Sequence, residues 1–136
     1  MSPWLIDTGP IVALLVGDDS QHAWAIEQSK HAPATVLTCE AVISEALFLL
    51  KRDGQDADVL FALVDTGFLR CEFHFHDEYR RVRELMRRYQ ERPMSFADAC
   101  LVRMAELNPE ACVWTLDGDF RHYRKQRRQT LSLVTP

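Results

Sequence analysis

Short apolar runs rich in β-branched and aromatic residues alternate along this chain with longer segments whose apolar positions recur at helical spacing. Trp4-Leu5-Ile6 predicts a short buried strand that stops at Asp7. Thr8-Gly9-Pro10 then opens a helix, with Thr8 as a cap and proline tolerated in the first turn. A second helix is expected over 20–31 and a strand over Ala34 to Thr38. Residues 40–52 form a strongly apolar helix stopped by Asp53-Gly54, and 56–66 another, ended by Gly67. Leu69 to Phe73 predicts a strand, and 77–91 an arginine-rich helix ending near Pro93. Ser95 caps a helix that runs to about Leu107, where Asn108-Pro109 breaks it. Cys112 to Thr115 predicts a strand, 118–125 a short helix, and Leu131 to Val134 a last strand.

Strands alternating with helices imply βαβ units and a parallel sheet covered on both faces. The expectation is one α/β domain over 1–136, three layers deep (α/β/α), with four to five parallel strands. Ligands bind such sheets at the carboxyl ends of the strands. No repeat, low-complexity tract or linker interrupts the pattern.

That placement draws attention to four carboxylates. Asp7 follows one strand directly and Asp117 follows another, after Trp114-Thr115-Leu116, so both belong at the binding edge of the sheet, although acids are also common at strand-to-helix turns. Glu45 has Ala41, Val42, Phe48 and Leu49 at helical spacing, so it interrupts an apolar face. An ionised group there needs a cation or a good set of donors, unless it sits at the rim of the core. Asp98 has Met94, Ser95, Leu101 and Val102 around it in the same way. Ser95-Phe96-Ala97-Asp98 also has the form of a capping box, which accounts for Asp98 without any metal. Carboxylates that converge on one crevice repel, so their pKa values rise or a cation neutralises them. Oxygen ligands without His or Cys favour Mg²⁺ or Mn²⁺ over zinc. Such a site activates water or clamps the oxygens of an in-line displacement, the chemistry of phosphodiester hydrolysis, and requires no nucleophilic Ser or Cys.

The quoted segments resemble the PIN domain family, and more narrowly the VapC-type ribonuclease toxins of toxin–antitoxin pairs. The matching motifs are Leu5-Ile6-Asp7-Thr8-Gly9-Pro10, Ser44-Glu45-Ala46-Leu47, Phe96-Ala97-Asp98-Ala99 and Thr115-Leu116-Asp117-Gly118-Asp119-Phe120. They occur in the family's order and spacing over essentially the whole chain. The resemblance implies a PIN-like fold and a Mg²⁺- or Mn²⁺-dependent endoribonuclease. It implies Asp7 and Asp98 as principal metal ligands, Glu45 as the third acid and Asp117 as the fourth, with Asp119 able to share that role. It makes Thr115 a hydroxyl that orients a carboxylate. It also implies a homodimer neutralised by a small antitoxin protein.

Charge adds a substrate surface. Residues 1–79 carry a net −9 and residues 80–136 a net +5. Arg121, His122, Arg124, Lys125, Arg127 and Arg128 follow the fourth motif and are expected to contact RNA phosphates. The arginines of 80–92 are expected to pair with Glu84 or Glu91, or to solvate a helix.

Other readings are narrower. Asp7-Thr8-Gly9 also resembles the active-site loop of aspartic proteases, but that class is mainly β-structure and needs two such aspartates. A phosphoryl-transfer receiver would want a paired acid after its first strand, where Thr8-Gly9 follows Asp7. A non-catalytic module of the same fold, binding RNA or protein with its acids unused, is the main alternative. His74 and His76 could share a strand face, but two histidines without a third ligand make no zinc site. Cys39, Cys71, Cys100 and Cys112 lack C-x-x-C spacing and are expected as buried free thiols. No apolar run is long enough to span a membrane, and Met1-Ser2-Pro3-Trp4 does not begin a signal peptide, so the cytoplasm is the expected location.

Overall fold

A computed structural model describes residues 2–92, 94–126 and 128–136. The main sheet takes β1 (Trp4–Ile6), β2 (Val36–Thr38), β3 (Leu69–Cys71), β4 (Cys112–Trp114) and β7 (Ser132–Val134). Their order is β3-β2-β1-β4-β7, and every neighbouring pair is parallel. Six helices flank it: α1 (Thr8–Leu15), α2 (His22–Ser29), α3 (Glu40–Arg52), α4 (Asp58–Asp65), α5 (Phe75–Arg88) and α6 (Phe96–Leu107). This is the expected α/β/α architecture at the upper end of the predicted strand count.

The order of the strands locates the site. From β1 the chain steps outward to β2 and then β3, and it returns across β1 to β4. Right-handed crossovers made in opposite directions put their helices on opposite faces. Accordingly α1 packs on α2, α3 and α4, whereas α5 packs along α6. The reversal lies between β1 and β4, whose register pairs Ile6 with Trp114. A crevice opens beyond the carboxyl ends of strands at such a switch point. Asp7 and Asp117 are the first acids beyond those two ends.

Strand residues Leu5, Ile6, Val113 and Trp114 are completely buried, as a sheet covered on both faces demands. Trp4 meets Trp114 edge-on at 5.5 Å between ring centroids. The predicted stops after α3 and α4 are real: Gly54 and Gly67 take φ of 78° and 81°, a region that favours glycine.

Four local expectations need correction. Residues 118–125 do not form one helix. A single 3-10 turn covers Gly118–Arg121, and Arg124–Lys125 (β5) pairs antiparallel with Gln129–Thr130 (β6) in a hairpin. Lys125 finds a carbonyl partner in the loop at Pro109 and Arg124 finds two at Arg121 and Tyr123, contacts that helical periodicity does not register. Asp7, not Thr8, caps α1, because its Oδ1 accepts the Thr8 N–H at 2.8 Å. His74 and His76 share no strand: β3 ends at Cys71, His74 precedes α5 and His76 lies within it. All four cysteines are free, and Cys39 and Cys100 are buried, but Cys71 is exposed at the end of β3. No helix among the described residues is long and apolar enough to cross a membrane. The parallel sheet also removes the protease reading, since Asp7-Thr8-Gly9 is a strand-to-helix junction in it.

Candidate active site

The two strand-end acids are joined by one hydroxyl. Thr115, fully buried just beyond β4, donates Oγ1 to Asp7 Oδ2 at 2.7 Å and accepts the Asp117 N–H at 2.9 Å. Asp7 Oδ1 is meanwhile occupied by the Thr8 N–H. Asp117 Oδ1 accepts the Asp119 N–H at 2.9 Å, which closes the turn carrying both acids.

α3 brings Glu45 to the same place from the side. The Thr8 hydroxyl, free of capping duty, donates to Glu45 Oε2 at 3.0 Å. Glu45 is exposed, contrary to the expectation of an apolar face. The buried stripe of α3 is Val42, Ala46 and Leu50, and Glu45 lies one residue off it. Its neighbour Phe48 is 70% exposed, so the apolar neighbours counted from sequence do not enclose it.

α6 supplies Asp98 in its first turn. Ser95 caps the helix as expected, with Oγ accepting the Asp98 N–H at 3.0 Å. Capping does not exhaust the carboxylate. Asp98 Oδ2 accepts from the Tyr123 hydroxyl at 2.8 Å, across 25 residues of sequence.

Asp7, Glu45, Asp98, Asp117 and Asp119 line one crevice of about 510 Å³, with Thr8, Gly9, Leu49, Ser95 and Leu116. A Cβ on Gly9 would stand 3.3 Å from the Leu116 side chain, which would have to give by a few tenths of an ångström. Burial pushes the Asp7 carboxyl up to about 7, against the opposing hydrogen bonds from Thr115 and Thr8, and the charges of Asp98 and Asp117 add to the rise. Burial likewise pushes Asp98 up to about 6, opposed by Tyr123 and Ser95 and assisted by Asp117 and Glu45. These are the signatures of carboxylates that gain from a neighbouring cation.

The donor set fits a hard divalent ion, being oxygen throughout. Among the described residues no three His, Cys, Asp or Glu side chains close on one point as a preformed cage does. An open rim of carboxylates suits an ion that retains much of its water. Asp7 and Asp98 are the deepest acids of the crevice, each less than 10% exposed; Glu45, Asp117 and Asp119 stand further out.

The basic segment splits. Arg121, His122 and Arg128 are exposed, and Arg121 shares a turn with Asp119. Arg124 is half-buried, its Nη1 donating to the Arg121 and Tyr123 carbonyls. Lys125 departs from the expectation: it is buried, and its Nζ donates to the Pro109 carbonyl at 2.7 Å. Its ammonium is committed to a loop and is withdrawn from any substrate surface. Arg127 lies outside the described residues. In α5, Arg81 pairs with Glu84 and Glu106, which supports a structural part for that arginine.

Thr8, Ser95 and Tyr123 touch the candidate acids yet were not among the expected site residues. Thr8 lies within the first motif and Ser95 adjoins the third, and the sequence pattern assigns both to capping. Nothing local marks Tyr123.

Comparison with known proteins bears on the same region. The sequence profile of the PIN domain family matches residues 4–126. Among solved structures the chain is similar to Mycobacterium tuberculosis VapC20, described as a sarcin–ricin loop cleaving toxin. The two share 27% sequence identity and a TM-score of 0.75, over 85% of this chain and 91% of that one. A search of curated proteins returned no match.

Proposed function

This chain belongs to the PIN domain family, and from that premise we propose that it is a Mg²⁺- or Mn²⁺-dependent endoribonuclease and the toxin of a toxin–antitoxin pair. The observation that carries the reading is the convergence of five acids on the crevice at the β1/β4 switch point, two of them held far above the usual carboxylate range. The structural likeness to a toxin that cleaves RNA supports the substrate class.

Asp7 and Asp98 are the principal ligands in this proposal, with Glu45, Asp117 and Asp119 completing the set directly or through water. A bound divalent ion supplies charge neutralisation at the scissile phosphate and a more acidic water. The chain's own residues prepare for it. Thr115 and the Thr8 N–H fix both oxygens of Asp7, the Thr8 hydroxyl holds Glu45, and Tyr123 holds Asp98. Preset carboxylates need no reorganisation when the phosphate arrives. Arg121, Arg124 and Arg128 would meet the RNA backbone beside the crevice, leaving Lys125 out.

A protein partner fits one apolar surface in particular. Phe75, Met86 and Phe96 are exposed together on α5 and α6, and Phe48, Phe61 and Val64 are exposed singly on α3 and α4. Phe75, Met86 and Phe96 edge an apolar cleft of about 480 Å³. An apolar cluster of this kind marks an interaction site. It supports a protein contact, a second copy of the chain or an antitoxin, which light scattering of the purified chain and of a coexpressed pair would measure.

The deciding assay incubates the chain with a sarcin–ricin stem-loop and an unrelated structured RNA, with Mn²⁺ or with EDTA, beside Asp98→Asn. Metal-dependent cleavage lost in the variant is expected. Equal cleavage by both proteins would remove these acids from the reaction. RNA binding with no cleavage under any condition would make the chain a binding module.

A further inference from the structure

We propose that Tyr123 is a positioning residue that fixes the Asp98 carboxylate for a divalent cation and ties it to the basic hairpin. This rests on the metal site proposed above and adds a residue to it.

The phenol is fully buried, and its hydroxyl donates to Asp98 Oδ2 at 2.8 Å. Its ring is clamped by edge-on contacts with Tyr89 and Phe120, at 5.1 and 5.2 Å between centroids. A ring held on two sides has little rotational freedom, so its hydroxyl is a fixed donor. Asp98 otherwise turns about two side-chain torsions, and a bond to one oxygen sets the direction of the other.

The same residue reaches the hairpin. Its carbonyl accepts from Arg124 Nη1 at 2.9 Å, and the Arg124 N–H donates to the Tyr89 hydroxyl at 2.9 Å. One aromatic cluster therefore holds the carboxylate on one side and an arginine of the basic segment on the other. Residues that hydrogen-bond a metal ligand without touching the metal commonly alter affinity by about 10- to 100-fold.

The test is Mn²⁺ binding by calorimetry on the full chain, as wild type, Tyr123→Phe, Asp98→Asn, the double variant and Tyr89→Phe. Tyr123→Phe should bind Mn²⁺ about tenfold more weakly, with unchanged KM for RNA and cleavage recovered at saturating Mn²⁺. Adding Tyr123→Phe to Asp98→Asn should cost nothing further, because the hydroxyl acts through that carboxylate. Tyr89→Phe should bind as wild type does. Wild-type affinity in Tyr123→Phe beside a weakened Asp98→Asn would overturn the positioning role and leave the metal site standing. Equal losses from Tyr89→Phe and Tyr123→Phe would overturn it too, by showing a packing effect. Wild-type affinity in Asp98→Asn would overturn both proposals.

Should Tyr123→Phe not fold, 3-fluorotyrosine labelling of the wild-type chain serves, since it has only three tyrosines. The fluorine signal of Tyr123 should move on adding Mg²⁺ more than those of Tyr79 and Tyr89. A stationary signal, in a chain that binds Mg²⁺, would overturn the assignment.

Discussion

Thr115 and Asp7 lie 108 residues apart in sequence and 2.7 Å apart in space, hydroxyl to carboxylate. Because the hydroxyl also accepts the Asp117 N–H, a single side chain sets the relation between the two strand-end acids. Thr115→Val preserves shape and removes both bonds. It should lower stability by about 1–3 kcal/mol, the cost of a buried polar group losing its partner. Mn²⁺ affinity should fall by about 10- to 100-fold. Thermal melting and Mn²⁺ titration would measure the two effects; unchanged values in both would dismiss the bridge as incidental.

The raised acids make stability depend on pH. With Asp7 at about 7 in the folded chain and near 3.8 when unfolded, the folded state keeps a proton that the unfolded state gives up. Its contribution is complete below 3.8 and disappears as pH rises through about 7. That difference corresponds to roughly 4 kcal/mol. In EDTA the melting temperature should therefore decline from pH 5 to pH 7.5, with Asp98 adding to the early part of the fall. Asp7→Asn should flatten the curve, and Mn²⁺ should lift its neutral end. A flat curve for the wild-type chain would contradict the burial assigned to Asp7.

Glu106 works in the opposite sense. Burial pushes its carboxyl up, but the bonds from Arg81, the Gln126 N–H and Arg103 outweigh this and hold it below its ordinary range. Its contribution is present above the unfolded value of 4.5 and fades as pH falls through the lower folded value. Arg81 meets it bidentately at 2.9 and 2.7 Å, and Gln126 N–H at 2.7 Å, so it joins α5, α6 and the hairpin. Glu106→Gln should destabilise by about 1–3 kcal/mol, since Arg81 and Arg103 lose one charged partner but keep Glu84 and Glu78. Chemical denaturation would show this, and a loss under 1 kcal/mol would mean the network is replaceable.

Arg121 and Arg128 are the exposed hairpin-region cations among the described residues, whereas Lys125 is committed to Pro109. Replacing both arginines by alanine should weaken RNA binding. The salt dependence should fall by about 0.7 in log–log slope per single-stranded phosphate contact removed. Lys125→Met should leave that slope unchanged. Binding isotherms from 50 to 300 mM salt would separate the two, and an unaltered slope in the arginine variant would move the RNA surface elsewhere.

How far the chain discloses itself from sequence depends on the range of each interaction. Helical and strand periodicity, glycine stops and the Ser95 cap are local, and α3 runs over Glu40–Arg52 as its pattern demands. An acid just beyond a strand is local too, so Asp7, next to β1, and Asp117, three residues after β4, were legible at the sheet edge. Glu45 reached the crevice for a different reason from the one its neighbours suggested. Which side of α3 is buried depends on what packs against it, and Val42, Ala46 and Leu50 face inward while Phe48 remains in solvent.

The sequence by itself determined the alternation of strands and helices, the four motifs and the acidic character of the crevice. Only the tertiary structure decided the partners: Tyr123 for Asp98, Thr8 for Glu45 and Pro109 for Lys125, across 25, 37 and 16 residues. Hydrogen bonds select partners by distance and direction, and contacts that long arise only after the sheet brings its strand ends together. The raised pKa values of Asp7 and Asp98 follow from the same step, because burial is a property of the packed chain and not of any segment in it.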